Sequence, residues 1–150
     1  MLSAQEFLGT TITKASEKLK LIPVSDAGYA ALIATDGLDL KDFKYKQGDK
    51  AGQVGYRMTV KWEIQDPDLK TSIGRTPSIT QSFTVNFTPE GALATENPGL
   101  RNLREAVGQN KDGEPWQPAM LIGQMAKIFV SHRIDDKGEE QQDVQRVVAL

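Results

Sequence analysis

His132 is the only histidine in the chain, and the chain contains no cysteine. A catalytic triad or a histidine-rich metal site needs partner groups at fixed spacing, and no neighbour of His132 supplies them. With Ala126, Ile128 and Val130 it alternates onto one side of a strand-like segment, so the ring is expected to face inward as a hydrogen-bonded structural residue. The lack of cysteine removes disulfides, thiolate nucleophiles and cysteine-ligated zinc together. Two carboxylate pairs remain, Asp66/Asp68 about Pro67 and Asp135/Asp136 before Gly138. Aspartates in such places bond their own backbone and make turns. Gly48, Gly52 and Gly55 lack the Gly-Lys-Ser/Thr ending of a phosphate cradle and read as a flexible inter-strand loop. The residues thus predict a chain that is not an enzyme, with no catalytic residue, no metal site and no cofactor.

Binding chemistry is better represented. Phe43, Lys44, Tyr45 and Lys46 interleave rings with cations, Lys50 follows, and Arg57 and Lys61 share the polar side of the next alternating segment. Single-stranded nucleic acid asks for this mixture, because cations follow phosphates while rings stack unpaired bases. Lys127, Phe129 and Arg133 repeat the pattern further on, and Arg75 beside Gly74 adds a surface cation. If the strands carrying the two sets are neighbours, both sets share one face. A second reading makes the later set a charge-protected edge strand with Phe129 beneath a loop, and the first a solvated loop. The net charge is −2, yet six cations between Lys41 and Lys61 face only Asp42 and Asp49, a local +4. Between Asp135 and Asp143 the balance reverses, with Asp135, Asp136, Glu139, Glu140 and Asp143 against Lys137.

The elements that must position these residues follow from periodicity. Ser3 and Glu6 form a capping box, and Leu8, Ile12, Ala15 and Leu19 recur at helical spacing, which predicts an N-terminal helical extension over residues 1–21. Thr10 to Thr13 are β-branched and oppose it. Tyr29 to Ala34 begins a first strand that continues through Leu38, Leu40 and Phe43. From Tyr56 to Gln65 the alternation is strict, with Tyr56, Met58, Val60, Trp62 and Ile64 toward a core, until Asp66-Pro67-Asp68 ends it. A third strand covers Ile79 to Thr88, with Phe83, Val85 and Phe87 inward. Asn97 as N-cap, Pro98 at the first position and Gly108 beyond the end delimit a helix with Leu100, Leu103 and Val107 buried. After a polar loop with the proline-flanked Trp116, strands are expected at Met125 to Ile134 and Val144 to Ala149, joined by a turn or mobile loop over Asp135 to Gln142.

Short strands with a helix between the third and fourth predict one mainly β domain over residues 1–150, a five-stranded Greek-key barrel of the OB type, with a sandwich as the alternative. Across about residues 22 to 150 the chain resembles the small OB-fold single-stranded-DNA-binding proteins of bacteriophages and related phage replication and recombination-module proteins. The resemblance is carried by the Tyr29 strand, the charged strand ending near Glu63-Ile64, Gly74-Arg75, and Leu100, Leu103, Ala106 and Gly108 in the helix. Leu121-Ile122-Gly123 and the run from Val130 to Gly138 extend it. It implies coating of single-stranded DNA with weak sequence preference, and replication or recombination proteins as further partners. Such proteins often end in an acidic tail, whereas this chain ends Val147-Val148-Ala149-Leu150, which leaves the acidic stretch at Asp135 to Asp143 as a substitute or leaves recruitment out. The rival reading is a protein-interaction or virion structural module that binds no nucleic acid.

Met1 to Lys20 lacks the apolar core of a secretory signal and no long apolar run appears, which points to the cytoplasm, of a host cell if the protein is phage-encoded, and to no membrane partner. From the isolation of His132, chelators such as EDTA are expected to leave the thermal midpoint unchanged. Stoichiometric metal in the purified protein, read by elemental analysis, would overturn that expectation.

Overall fold

The alternation about Trp62 becomes β2 (Val54–Ile64). Met58, Val60, Trp62 and Ile64 are buried on one side, and Arg57, Thr59, Lys61 and Glu63 lie on the other. The computed structural model describes residues 1–16 and 18–150. Before β2 lie a short α1 (Ala4–Leu8) and the long β1 (Tyr29–Lys44), and after it α2 (Pro67–Ile73), β3 (Ser78–Val85) and α3 (Pro98–Ala106). A 3-10 turn (Pro118–Leu121), β4 (Met125–Ile134) and β5 (Glu140–Val148) complete the order.

The strands form one five-stranded sheet in the order β3-β2-β1-β4-β5, antiparallel throughout. The sheet is open, where a closed barrel was expected. Its two edge strands approach without a ladder, with Gln142 Nε2 donating to the Ser78 carbonyl at 3.5 Å, and α3 rests against both β3 and β5. Gly99 makes that seat possible, because a Cβ there would lie 2.7 Å from the Phe83 ring. Leu100, Leu103 and Ala106 join Ile33, Val60, Trp62, Ile128 and Val130 in the core. Ile22 enters from the N-terminal side, its N–H donating to Gln142 Oε1 at 2.8 Å.

Strand β1 serves two neighbours. Ala31 faces both Ile64 of β2 and Ala126 of β4. The β1–β2 register then shifts between Ile33 and Leu38, an irregularity that bends the strand. Gly37 sits in this shift, where a Cβ would come within 3.0 Å of the carbonyls of Ala34 and Lys61.

Several expectations need correction. The N-terminal helix closes after Leu8: the Ser3–Glu6 capping box forms, but Leu8, Ile12, Ala15 and Leu19 are exposed. A helix with no buried face relies on propensity alone, and Gly9 followed by the β-branched run cannot sustain it. Glu17, read within that extension, lies outside the described residues. Asp66-Pro67-Asp68 does end β2, but it also starts a helix the periodicity did not reveal. Asp66 Oδ1 accepts from the N–H groups of Asp68 and Leu69, both at 3.1 Å, Pro67 takes the first position, and Leu69 is buried. Asn97 precedes α3 yet does not cap it. Its buried side chain instead accepts from Asn86 N–H at 2.6 Å and donates to Asn86 and Ala94 carbonyls, so it ties α3 to the end of β3. Gly108 ends α3 as read, with φ 73 and the Gln109 N–H reaching back to the Arg104 carbonyl at 2.7 Å. β3 stops at Val85, and the chain turns so that Phe87 bridges Leu93. The stretch after Asp135 is a tight turn, and β5 begins at Glu140 rather than Val144.

Trp62 is wholly buried and its indole N–H donates to Gln81 Oε1 at 3.0 Å. Trp62→Ala is therefore expected to cost about 3–5 kcal/mol of stability in urea unfolding. A loss below about 1 kcal/mol would mean that Trp62 is not at the centre of the core.

Candidate nucleic-acid interface

The β1–β2 hairpin assembles the first cation and ring set. Pairing of Phe43 with Gly55, Lys41 with Arg57 and Asp39 with Thr59 turns Phe43 and Arg57 to the face opposite Trp62. Gly55 is the element that makes the cluster. A Cβ there would lie 2.7 Å from Phe43 Cζ and 2.8 Å from Tyr45 Cε2, so both rings lie across bare backbone. Gly55 thus belongs to a strand and not to a flexible loop. The two rings meet edge to face with centroids 4.9 Å apart. Arg57 places its guanidinium carbon 5.3 Å from the Phe43 centroid, and Lys50 its Nζ 5.5 Å from the Tyr45 centroid, both within cation–π range. The loop is closed by Tyr45 N–H to the Gln53 carbonyl at 2.9 Å and Gly52 N–H to the Tyr45 carbonyl at 2.8 Å. Gly48 and Gly52 take the positive φ values, 81 and 83, that these turns require.

Lys61 lies on the same outer face, paired to Thr80 of β3. Lys44 does not: it pairs with Val54 and falls on the opposite side of the hairpin. Lys46 is exposed in the loop. Among the described residues, Lys44, Lys46, Lys50, Arg57 and Lys61 make no ion pair, whereas Lys41 is 3.8 Å from Asp39.

The second set shares the outer face but not the neighbourhood. β4 and β2 are separated by β1, and Phe129 lies beside Gly28, before β1 begins, while Phe43 lies near the end of β1. That is about 50 Å of strand path at roughly 3.3 Å per residue. Phe129 is covered by Arg146, whose guanidinium carbon is 4.1 Å from the ring centroid, and Arg133 is held by Asp143 at 2.7 Å. Lys127 packs its stem near Gly28, where a Cβ would meet Lys127 Cγ at 2.9 Å. Arg75 donates to the Lys20 carbonyl at 2.6 Å and thereby fastens the N-terminal segment to the turn after α2. Arg146 escaped the sequence reading because the β4–β5 register shifts between Phe129 and Val130. Only that shift sets it opposite Phe129.

His132 keeps the predicted parity but lies past the rim of the core. It is exposed, and its Nε2 is 2.6 Å from the Ile22 carbonyl. Among the described residues no three His, Cys, Asp or Glu side chains gather as a metal site. The acidic stretch is largely engaged. Asp135 accepts from Glu139 and Lys137 N–H groups and from Gln141, Glu139 lies 3.5 Å from Lys18, and Asp143 pairs with Arg133. The backbone N–H of Glu139, then Gln141, holds the Asp135 carboxyl below its ordinary range.

Where β3 leaves β2, a cleft opens. β3 pairs with β2 only as far as Tyr56 opposite Val85, while β2 itself begins at Val54. A cavity of about 530 Å³ fills the gap, lined by Tyr45, Lys50, Tyr56, Phe87 and Pro89 among others. On the side of the sheet that carries Met58, a smaller apolar groove of about 340 Å³ lies among Leu38, Leu40, Phe87 and Leu100. No helix of the described residues is long and apolar enough to cross a membrane. Comparison with protein-family models and with curated proteins returns no match.

Because the rings rest on Gly55, Gly55→Ala is expected to overpack the hairpin and cost about 1–3 kcal/mol. In the Phe43→Ala background the same change is expected to cost much less. Equal costs in both backgrounds, by urea denaturation, would show that the rings do not lie on Gly55.

Proposed function

We propose that the chain binds single-stranded DNA, with weak sequence preference and no chemistry of its own, through the outer face of the β1–β2 hairpin. The observation that carries this reading is the Phe43–Tyr45 ring pair laid across Gly55 and flanked by Arg57 and Lys50. Half-buried rings offer flat apolar faces for unpaired bases, and cations without carboxylate partners beside them suit the phosphates. Lys46 and Lys61 extend the basic path along the hairpin. The Phe129 set contributes less in this reading, since Arg146 already occupies its ring and Asp143 holds Arg133.

The strand order supports an OB-like arrangement without a closed ladder. β1 pairs with both β2 and β4, and α3 falls between β3 and β4 in sequence while seated against the two edges. In folds of that type the face of strands 2 and 3 and loops that include the one between strands 1 and 2 hold oligonucleotides, and the hairpin cluster lies on that loop and the adjoining ends of β1 and β2. We further propose a role in replication or recombination, which is what the resemblance of the sequence to the phage proteins implies.

The reading requires preference for unpaired bases, since charge alone would bind duplex equally. A labelled oligothymidylate is expected to bind more tightly than a duplex of equal length. Arg57→Ala is expected to weaken binding and to reduce the slope of log K against log salt by about 0.7, as one lost phosphate contact on single strands. Phe43→Ala is expected to lower affinity by about fivefold or more with that slope nearly unchanged, because a stacked ring releases no counterion. No binding at low salt, or equal affinity for duplex, in a fluorescence-anisotropy titration would defeat the proposal and favour the protein-interaction module.

A further inference from the structure

We infer that the cleft between the β1–β2 hairpin and the connection after β3 is a binding pocket for one unpaired base of the same strand. The inference rests on the single-stranded-DNA reading and adds residues that the sequence assigned to the core. Tyr56 alternates with Met58 and Trp62, yet it is 37% exposed, because β3 pairs no further than Val85 and leaves the start of β2 uncovered on that side. Its ring meets Phe87 edge to face with centroids 4.9 Å apart. Phe87 is held there by the bridge to Leu93 and by the turn Thr88 to Gly91, in which the Gly91 N–H donates to the Thr88 carbonyl at 2.9 Å. The aromatic wall is therefore built on fixed backbone.

Three further properties fit a base rather than a peptide or an aliphatic ligand. The volume of about 530 Å³ lies within the range of about 300–1,000 Å³ found for small-molecule pockets. The lining is mixed, with Tyr45, Tyr56 and Phe87 for a ring face and polar groups from Gln53, Asn86 and Thr88. Asn86 Nδ2 already donates to the Glu96 carbonyl at 2.9 Å and Thr88 Oγ1 accepts from the Ala92 N–H at 3.2 Å, so Gln53 is the side chain best placed to meet the polar edge of a base. Among the described residues that line it, Lys50 is the one cation, at the hairpin side where a phosphate would enter. Tyr45 belongs to both sites, since its ring packs against Phe43 on the outer face and also lines the cleft. A strand following the hairpin can thus turn over Tyr45 and place the next base against Tyr56. The neighbouring groove at Leu38 and Leu40 has, Asp39 apart, an apolar lining and suits the polar edge of a base less well.

The test uses the full chain and an oligothymidylate carrying a single 2-aminopurine. Tyr56→Leu keeps an apolar side chain of similar bulk but removes the ring, and Pro89→Glu places a carboxylate on the exposed wall away from the hairpin. Both variants are checked for folding by thermal melting. The pocket predicts that Tyr56→Leu lowers affinity about fivefold or more with little change in salt slope. It also predicts that Pro89→Glu weakens binding and that 2-aminopurine fluorescence quenched by the wild type recovers in Tyr56→Leu. If Tyr56→Leu fails to fold, Pro89→Glu and the wild-type quenching decide. Affinity within twofold of wild type in both folded variants, while Phe43→Ala is still weakened, would overturn the pocket and leave the hairpin reading standing. Absence of oligonucleotide binding by the wild type would overturn both.

Discussion

Strand β1 has to pair with β2 along nearly its whole length and with β4 over its first residues, and the register shift around Gly37 reconciles the two. Backbone carbonyls of Ala34 and Lys61 crowd the position where a Cβ would stand, so the shift depends on glycine. Before it, β1 sits centrally between β2 and β4 and contributes Ala31 and Ile33 to the core. Beyond it, β1 and β2 run on as a hairpin whose outer face is free of other strands. The same bend therefore lets the sheet wrap its core and carries Phe43, Tyr45 and Arg57 away from the Phe129 set. One irregularity in one strand decides that the chain has a concentrated basic and aromatic site rather than a face-wide one.

Much of this was legible in the residues. Period-two alternation located β2, β3 and β4, because each has one wet and one buried side, and β1 was found by its apolar start. Gly108 and Pro98 delimited α3 through backbone constraints that act within a few residues. Less local features were not legible. α2 is a short helix of about two turns whose start resembles an ordinary aspartate-proline turn, and the burial of Leu69 is what anchors it as a helix. The N-terminal stripe had helical period but no surface to pack on, and a stripe alone does not hold a helix. Asn97 looked like a cap, but its side chain went to the backbone of Asn86 instead, a contact set by tertiary structure.

The candidate site shows the same division. The interleaving of Phe43, Lys44, Tyr45 and Lys46 marked the right hairpin, but the residues do not act as a block: Phe43 and Tyr45 share the outer face and Lys44 is on the other. The role of Gly55 came from register, since nothing in the sequence states which residue faces Phe43. Arg146 and Tyr56 were missed for related reasons, one because a shift in β5 moved it opposite Phe129, the other because β3 ends early and uncovers it.

The central claim is that the hairpin's outer face is where a single strand lies. Its most direct test is an amide-resolved NMR titration of the folded chain with oligothymidylate. The account predicts that the largest shift changes fall on Phe43 to Arg57 and on Lys61, with the amides around Arg104 and Trp116, a cation and ring pair on another part of the surface, left unmoved. Changes centred on Arg104 and Trp116 or on the Phe129 set, with the hairpin silent, would contradict it.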